Sequence, residues 1–301
     1  MAERDRSDDD GPNDGRWFHE KLYDSVRIGF QAGRVLHEES TEHFSLALIE
    51  NARFGKVLML DGITQVTTED EFIYHEMMSH VPIYAHGSAR EVLIIGGGDC
   101  GMAEEVLKHA SVERLTQVEI DQSVVDFSKE HFSEFNAPVF DDARFNLVID
   151  DGAAFVANTE DRFDVVIVDS TDPVGPGAVL FSAEFYANLH SVLAPGGIAV
   201  TQNGVPFFQR DELIGSMRDL SKVFGHVTAY IAAIPTYVGG HMALGFASDD
   251  ADAHRRALDV LQERFAAEPV ATRYYSPEVH AAAFALPRFI ADTVEEGRAL
   301  A

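Results

Sequence analysis

Residues 91–101 read EVLIIGGGDCG and join a strand-like apolar run directly to a glycine turn. Gly96, Gly98 and Gly101 have the G-x-G-x-x-G spacing of a dinucleotide fingerprint. Glu119 follows Gly98 by 21 residues, at the end of the next apolar run, where a carboxylate can bind both hydroxyls of a ribose. Because glycines allow a tight turn and a close approach of the backbone, this stretch predicts a nucleoside-type ligand.

The pattern downstream of residue 89 predicts the fold class. Apolar runs alternate with helical stretches, as in a parallel sheet that is covered on both faces. We therefore expect an α/β fold with a Rossmann-like, doubly wound sheet. The expected strands are Glu91–Ile95, Arg114–Glu119, Phe145–Ile149, Phe163–Val168 and Gly197–Gln202, and runs at 226–233 and 242–247 would finish the sheet. The expected helices cover residues 101–110, 122–133, 152–158, 182–193 and 251–266, and a C-terminal tail follows.

Shorter alternating runs with turn signals come before this sheet and predict a small antiparallel β domain. Its expected strands are Val26–Phe30, Arg34–Glu38, Phe44–Glu50, Lys56–Leu60 and Thr64–Thr67, with turns at Asn51–Gly55 and Asp61-Gly62. A helix is expected over Asp70–His80, with Pro82 beyond its end. We assign residues 1–15 to a disordered acidic tail, 16–69 to the N-terminal β-strand domain and 70–301 to the catalytic domain.

Acidic residues at the ends of successive strands indicate what the nucleoside carries. Asp99 lies inside the glycine turn, where it would repel a pyrophosphate and attract a cation, so a sulfonium nucleoside fits better than NAD. The carboxyl ends of parallel strands share one crevice, so the acids are expected to converge there. They are Asp99, Glu119, Asp151, Asp169 and Asp172. Taken singly, each could be a helix N-cap. Together they would disfavour the carboxylate of S-adenosylmethionine, favour its decarboxylated form, and leave room for a second cationic substrate such as a diamine.

Composition excludes several classes of partner. The chain has 23 Lys and Arg against 50 Asp and Glu, a net charge of −27, so nucleic acid and anionic membranes would be repelled. It lacks an apolar run long enough to span a bilayer and an N-terminal secretory pattern, so a cytoplasmic location is expected. Its single cysteine, Cys100, cannot form an internal disulfide. The acidity indicates either adaptation to high salt or a field that attracts a cationic substrate.

Ten motifs make the chain resemble the polyamine aminopropyltransferases, from about Trp17 to Pro287. They are LDGITQ (60–65), DEFIYHEMMSHVP (70–82), VLIIGGGD (92–99), VEID (118–121), VIDDG (148–152), DSTDPVGPG (169–177), APGG (194–197), QNGV (202–205), IPTYVGG (234–240) and RYYSPEVHAAAFALP (273–287). The resemblance implies a β domain packed on a Rossmann-like domain of the S-adenosylmethionine-methyltransferase type, as a homodimer or homotetramer. It also implies transfer of the aminopropyl group of decarboxylated S-adenosylmethionine to putrescine, giving spermidine and 5'-methylthioadenosine.

The resemblance also assigns roles to residues. Asp169 matches the general base of the family. The matches to the polyamine contacts are His75, Asp99, Asp172, Tyr74, Tyr237 and, at the domain junction, Gln65. The matches to the nucleoside contacts are Gly96, Gly98, Glu119, Asp151, Gly152 and Pro176. No cofactor is implied beyond the co-substrate, and no metal, because His75 and His80 are five residues apart and diverge around a helix.

Three departures from the family pattern leave the affinities open. Phe44 stands where the family commonly has a glutamine that contacts the nucleoside, Cys100 replaces a glycine of the turn, and Thr68-Glu69 replaces Glu-Arg. The alternatives that stay open are an S-adenosylmethionine-dependent amine N-methyltransferase, an aminopropyltransferase for a different amine, and a polyamine-binding protein without activity.

Overall fold

The computed structural model of the chain describes residues 15–23, 25–41, 45–170 and 175–301, except for the side chains of residues 175 and 176. These residues form two compact units. One unit comprises the described residues up to Glu71 together with Pro235–Val238, and the other comprises Phe72–Ile234 and Gly239–Ala301. The predicted acidic tail lies outside the described residues apart from Gly15. The domain limits proposed above stay predictions.

The first unit contains six short antiparallel strands in two sheets. They are β1 (Trp17–His19), β2 (Gly29–Gln31), β3 (Arg34–Ser40), β4 (Ser45–Asn51), β5 (Gly55–Leu60) and β6 (Ile63–Thr67). β1 pairs with β2, and β3 to β6 follow one another in chain order. Asp61 and Gly62 turn the chain between β5 and β6 with φ angles of 53° and 74°, as the residue types at this hairpin predict. Phe30, Ile49 and Val57 belong to the small apolar core.

Helix α1 covers Glu71–His86. The sequence prediction ended this helix at His80, and that boundary was wrong because the helix continues through Pro82. A proline inside a helix removes a backbone hydrogen bond and costs about 3 kcal/mol. Residues 73–85 are all buried, so the packing of this segment outweighs the cost of the proline.

The second unit is organised around a seven-stranded mixed sheet with the order β12-β13-β11-β10-β7-β8-β9. Its strands are β7 (Glu91–Gly96), β8 (Arg114–Glu119), β9 (Phe145–Ile149), β10 (Phe163–Asp169), β11 (Leu193–Gln202), β12 (His226–Ala232) and β13 (Met242–Ser248). β7 to β11 are parallel, whereas β13 pairs antiparallel with both β11 and β12. The runs 92–95 and 165–168 are at most 2% exposed, as expected of strands with a helix layer on each face. The Rossmann-like fold class is therefore confirmed.

The helices of this unit include four that begin within one residue of the predicted position and two, Ser133–Asn136 and Arg210–Ser221, that the sequence prediction lacked. They are α2 (Gly101–Leu107), α3 (Gln122–His131), α4 (Ser133–Asn136), α5 (Gly152–Asn158), α6 (Ala183–Ser191), α7 (Arg210–Ser221), α8 (Leu258–Ala267), α9 (Pro277–Ala283) and α10 (Arg288–Ala299). The helix expected over 251–266 starts only at Leu258, and the expected C-terminal tail contains α9 and α10. Ser276 caps α9 and Pro277 occupies its first turn, a start signal that the sequence prediction did not use. No helix in the described part of the chain is long and apolar enough to cross a bilayer.

The strand order reverses beside β7, and this reversal sets the position of the candidate site. β7 leads on to β8 and β9 on one side, and the chain then crosses back to place β10 on the other side. Gly96 at the end of β7 pairs with Asp169 at the end of β10. A crevice at the carboxyl ends of such a switch point is the usual ligand site of an open α/β sheet.

Candidate active site

The glycine turn after β7 packs against the backbone at the end of β10. Gly96 and Gly97 have φ angles of +85° and +67°, in the left-handed region that favours glycine. A Cβ atom on Gly96 would overlap the carbonyl oxygen of Asp169. The amide N–H of Gly97 donates a hydrogen bond of 3.1 Å to that same oxygen. The turn therefore needs glycine at position 96 in order to hold Asp169 this close.

Asp169 is half-buried as a residue, and its carboxyl group is the part that is withdrawn from solvent. The Tyr74 hydroxyl donates a hydrogen bond of 2.7 Å to its Oδ1. The pKa of Asp169 is raised from 3.8 to about 6, mainly by burial and next by the negative charge of Asp99. The hydrogen bond from Tyr74 and the proximity of His75 act in the opposite direction. A carboxylate with this pKa is ionised at neutral pH and is a stronger base than an exposed aspartate.

Asp99 and His75 form the second part of the site. Nε2 of His75 lies 3.4 Å from Oδ2 of Asp99, and the backbone N–H of Gly101 donates a hydrogen bond of 2.9 Å to Oδ1. The imidazole is buried, whereas 17% of the Asp99 side chain is exposed. A Cβ atom on Gly101 would overlap the imidazole, so this glycine allows α2 to begin against α1. Asp99 thus keeps a defined position and still reaches solvent.

Glu119 completes a group of three carboxylates at the ends of β10, β7 and β8. Its Oε1 accepts a hydrogen bond of 3.1 Å from the N–H of Asp121. A Cβ atom on Gly98 would lie only 3.0 Å from Oε2 of Glu119, so the acid approaches the glycine turn closely. Burial raises the pKa of Glu119, and the charge of Asp99 contributes to the increase. Glu119 and Asp99 also raise the pKa of Asp169, so the three acids share one electrostatic environment.

Asp151 has the role of a helix cap in the structure. Its Oδ1 accepts hydrogen bonds of 2.8 and 3.2 Å from the N–H groups of Ala153 and Ala154 at the start of α5. A Cβ atom on Gly152 would lie 2.5 Å from Cγ2 of Ile95, so Gly152 packs closely against this side chain. Both residues follow β9, next to the strand that ends at Glu119. Contact of Asp151 and Gly152 with a nucleoside stays a prediction.

The remaining predicted site residues belong to the first unit or lie outside the residues that the structure describes. Gln65 and Tyr237 belong to the first unit, and the Tyr237 hydroxyl donates a hydrogen bond of 2.6 Å to the backbone oxygen of Gln65. Phe44 and Asp172 are outside the described residues, and only the backbone of Pro176 is described, in the short 3-10 helix Gly175–Phe181. Their contributions to the site stay predictions.

The sequence interpretation missed two features of this region. Ile120, Val124 and Ile149 are 59%, 42% and 42% exposed and flank the acidic end of β8 and β9. Exposed apolar side chains beside a polar crevice are typical of a surface that a flat ligand covers. The side-chain amide of Gln117 donates hydrogen bonds to the backbone carbonyl oxygens of Gly96 and Gly97 in the glycine turn. The sequence signal for the exposed apolar surface was Ile120, an apolar residue directly after the strand-end acid Glu119. No neighbouring residue in the sequence indicates the role of Gln117.

The sheet order and the glycine turn place the chain in the Rossmann-like class of α/β folds. Residues 71–256 match the family model described as the spermine/spermidine synthase domain, and residues 16–69 match that of the spermidine synthase tetramerisation domain. The chain belongs to the spermine/spermidine synthase family and is an enzyme that transfers aminopropyl groups. The match of residues 16–69 supports an oligomeric state.

Relatives and solved structures agree with this assignment. The chain is 54% identical over 274 residues to the polyamine aminopropyltransferase of Ruegeria sp. (strain TM1040), covering 91% of this chain and 96% of the relative. Identity to polyamine aminopropyltransferase 1 of Pseudomonas aeruginosa is 51% over 277 residues, covering 92% and 97% of the two chains. A solved spermidine synthase in complex with the transition-state analogue AdoDATO superposes with a TM-score of 0.89 at 35% identity, covering 97% and 98%. The solved structure of the spermidine synthase from Thermotoga maritima superposes with a TM-score of 0.86 at 34% sequence identity, covering 97% of each chain.

Proposed function

We propose that the chain transfers the aminopropyl group of decarboxylated S-adenosylmethionine to putrescine, giving spermidine and 5'-methylthioadenosine, with Asp169 as general base. The observation that supports this most strongly is the environment of Asp169. Its carboxylate has a pKa raised to about 6, is held by Tyr74, and lies next to Asp99 at the switch point of the sheet. Such a group can accept a proton from an ammonium ion that the neighbouring carboxylates attract.

The arrangement of the acids supports a cationic nucleoside as the donor. Glu119 is positioned at the end of β8 to bind ribose hydroxyls, and the exposed side chains of Ile120, Val124 and Ile149 offer an apolar surface for the adenine. Asp99 would attract the sulfonium and repel the α-carboxylate of S-adenosylmethionine. The structural neighbour that contains AdoDATO is described as a complex with a transition-state analogue, which fits a donor of this type.

The acceptor amine must lose a proton before it can react. An alkylammonium with a pKa of about 10.4 costs about 4.6 kcal/mol to deprotonate at pH 7. Asp169 takes this proton, directly or through water, and the free nitrogen attacks the methylene carbon bonded to sulfur. The new N–C bond forms as the C–S bond breaks, and the electron pair of that bond stays on sulfur in neutral methylthioadenosine. His75 and Asp99 hold the amine aligned, which lowers the barrier further.

The variant Asp169→Asn tests the role of the base. Its turnover is expected to fall by about 10²- to 10⁴-fold, whereas methylthioadenosine still binds because Glu119 is unchanged. Asp164→Asn is a matched control, because Asp164 lies near the start of the same strand, where its carboxylate accepts hydrogen bonds from the backbone N–H groups of Arg90 and Glu91 and lies 4.0 Å from Nε2 of His86. Near-parental turnover of Asp169→Asn would contradict the assignment.

Product analysis tests the donor and the acceptor. Incubation with decarboxylated S-adenosylmethionine and a mixture of putrescine, cadaverine, agmatine and longer polyamines is expected to give methylthioadenosine and spermidine. Release of S-adenosylhomocysteine from S-adenosylmethionine would indicate the methyltransferase instead, and binding of amines without turnover would indicate the inactive polyamine-binding protein. We also propose that the chain forms a homodimer or a homotetramer, and light scattering would distinguish the two. A cytoplasmic location is part of the same proposal.

A further inference from the structure

Gln117 is a completely buried amide directly below the glycine turn. It lies on β8, two residues before Glu119, and none of its surface is exposed. Its Nε2 donates hydrogen bonds of 2.9 Å to the carbonyl oxygen of Gly96 and 2.5 Å to that of Gly97. The proposed reaction assigns no role to this side chain. Its amide group nevertheless donates hydrogen bonds to two successive residues of the glycine turn.

The two carbonyl groups that Gln117 binds belong to the glycines with left-handed backbone angles. The Gly97 oxygen also accepts a hydrogen bond of 2.8 Å from the N–H of Cys100, and the Gly97 N–H donates to Asp169. Gly97 is therefore linked to Gln117, to the residue after Asp99, and to the backbone of Asp169. A change in the orientation of the two peptide groups that flank the Gly97 α-carbon would be transmitted to both acids.

Gln117 and Asp169 flank the same α-carbon. A Cβ atom on Gly97 would lie 2.9 Å from Oδ2 of Asp169 and 3.6 Å from Nε2 of Gln117. A neutral amide suits this place, because it supplies two donors to the turn without adding a charge beneath three carboxylates. An apolar side chain of the same length would leave both carbonyl groups without their amide donor, and an ionised glutamate would repel them.

We propose that Gln117 is a positioning residue for aminopropyl transfer, whose paired hydrogen bonds to Gly96 and Gly97 fix the spacing between Asp99 and Asp169. This role rests on the proposed function, because it assumes that these two acids align and deprotonate the amine. This role does not require Gln117 to contact the substrates directly. Its loss should therefore lower turnover more than it weakens nucleoside binding, which depends on Glu119.

The experiment compares Gln117→Met, which keeps the length of the side chain and removes both donors, with Thr116→Val. Thr116 is the neighbouring residue of β8, is 1% exposed, and its hydroxyl has no hydrogen-bond partner among the described residues, so Thr116→Val is a matched control. Gln117→Met is expected to lower kcat at least tenfold while the Kd of methylthioadenosine changes less than threefold. Thr116→Val is expected to keep both values. A kcat of Gln117→Met within twofold of the parent would overturn the proposal.

Gln117→Glu provides a second test in case Gln117→Met does not fold. A protonated carboxyl group can donate one hydrogen bond to the turn, and an ionised one can donate none. The kcat of Gln117→Glu is therefore expected to decline at high pH, where the parent stays constant, and a profile that matches the parent would contradict the role of Gln117. Failure of the proposed reaction would appear differently, as absence of methylthioadenosine with the parent enzyme.

Discussion

Asp169 carries the pH dependence that the proposed reaction should show. Its pKa is raised to about 6 because burial and the charge of Asp99 together outweigh the hydrogen bond from Tyr74, which favours the ionised form. A base must be ionised to accept a proton, so kcat/KM, which reports the free enzyme, is expected to rise with pH through this value. Asp99 and Tyr74 shift the pKa of Asp169 in opposite directions, so single substitutions of these two residues test whether Asp169 is the general base.

Tyr74→Phe and Asp99→Asn are expected to move the acid limb of the kcat/KM profile in opposite directions. Removal of the Tyr74 hydroxyl takes away a bond that favours the ionised carboxylate, so the pKa of Asp169 rises and the limb moves to higher pH. Removal of the Asp99 charge takes away a repulsion, so the limb moves to lower pH. Measurement of kcat/KM between about pH 5 and 9 checks both shifts, because this ratio reports the pKa values of the free enzyme.

Tyr186→Phe is the control for this pair. Its hydroxyl is also buried, but its partner is Ser216 at 3.3 Å and not an acid of the site. The acid limb of Tyr186→Phe should coincide with that of the parent. Displacement of both site variants in the same direction would show that Asp169 is not the group that titrates.

Asp169→Asn is also expected to stabilise the fold. The pKa of Asp169 is raised from 3.8 to about 6, so the folded state binds a proton more tightly than the unfolded state. The stabilising contribution of the protonated carboxyl is full below pH 3.8 and is lost as pH rises through 6. At pH 8 the variant should therefore gain about 3 kcal/mol in the free energy of unfolding. Urea unfolding at pH 8 and near pH 4 checks this, because the gain must diminish at the lower pH.

The glycine turn between β7 and α2 is the element that brings the acids together. Gly96 and Gly196 offer a comparison, because their φ angles are +85° and +81° but their surroundings differ. Gly196→Ala meets nothing within 4 Å and is expected to cost about 1–2 kcal/mol from backbone strain alone. Gly96→Ala adds an overlap with the Asp169 carbonyl and is expected to be less stable and inactive. Thermal unfolding and turnover of the two variants check this, and equal stability would contradict the close packing of the turn.

Helix α1 contacts the segment that follows α2 through two buried histidines. Nδ1 of His80 lies 2.9 Å from Nε2 of His109, and both side chains are fully buried. Nε2 of His80 lies 3.1 Å from Oε2 of Glu105. Burial lowers the pKa of His80 and of His109 from 6.5 to about 3. The helix packing therefore depends on neutral imidazoles.

This pair should make the fold sensitive to acid. The unfolded chain binds protons at these sites below pH 6.5 and the folded chain only near pH 3, so stability falls as pH falls between these values. His109→Gln is expected to reduce the slope of the unfolding free energy against pH by about 1.4 kcal/mol per pH unit, one proton, over this range. Urea titrations at several pH values check the slope. Above pH 7 the curves of parent and variant should run parallel, and parallel curves at pH 5 would contradict the prediction.

The whole molecule carries a net charge of −27, and its response to salt separates the two interpretations of that charge. Adaptation to high salt predicts that the free energy of unfolding increases as the Debye length falls from about 10 Å at 0.1 M to about 3 Å at 1 M. A field that attracts the substrates predicts that the KM of the amine increases over the same range. Unfolding and kinetic titrations with sodium chloride check both, and binding of neutral methylthioadenosine is the control that should not change. A stability independent of salt would contradict the adaptation.

Much of the fold could be predicted from local patterns, and the errors have identifiable causes. The runs VLII and VVIV predicted buried parallel strands, and Asp61-Gly62 predicted a hairpin, because each signal lies within a few neighbouring residues. The end of α1 was wrong because Pro82 is tolerated only through packing with distant residues. The site was predicted as a set of strand-end acids, and Asp99, Glu119 and Asp169 do share one environment. Asp151 caps α5, and its contact with a nucleoside stays a prediction.

The order of residue types along the chain was sufficient for the class of fold, the glycine turn and the acidic character of the site, because backbone geometry and charge depend on each residue and its neighbours. The strength of Asp169 as a base, the support of the turn by Gln117 and the neutral histidines between α1 and α2 required the folded chain. Each of these depends on the removal of water and on contacts between residues that are 20 or more positions apart, and a pattern along the sequence does not contain that information.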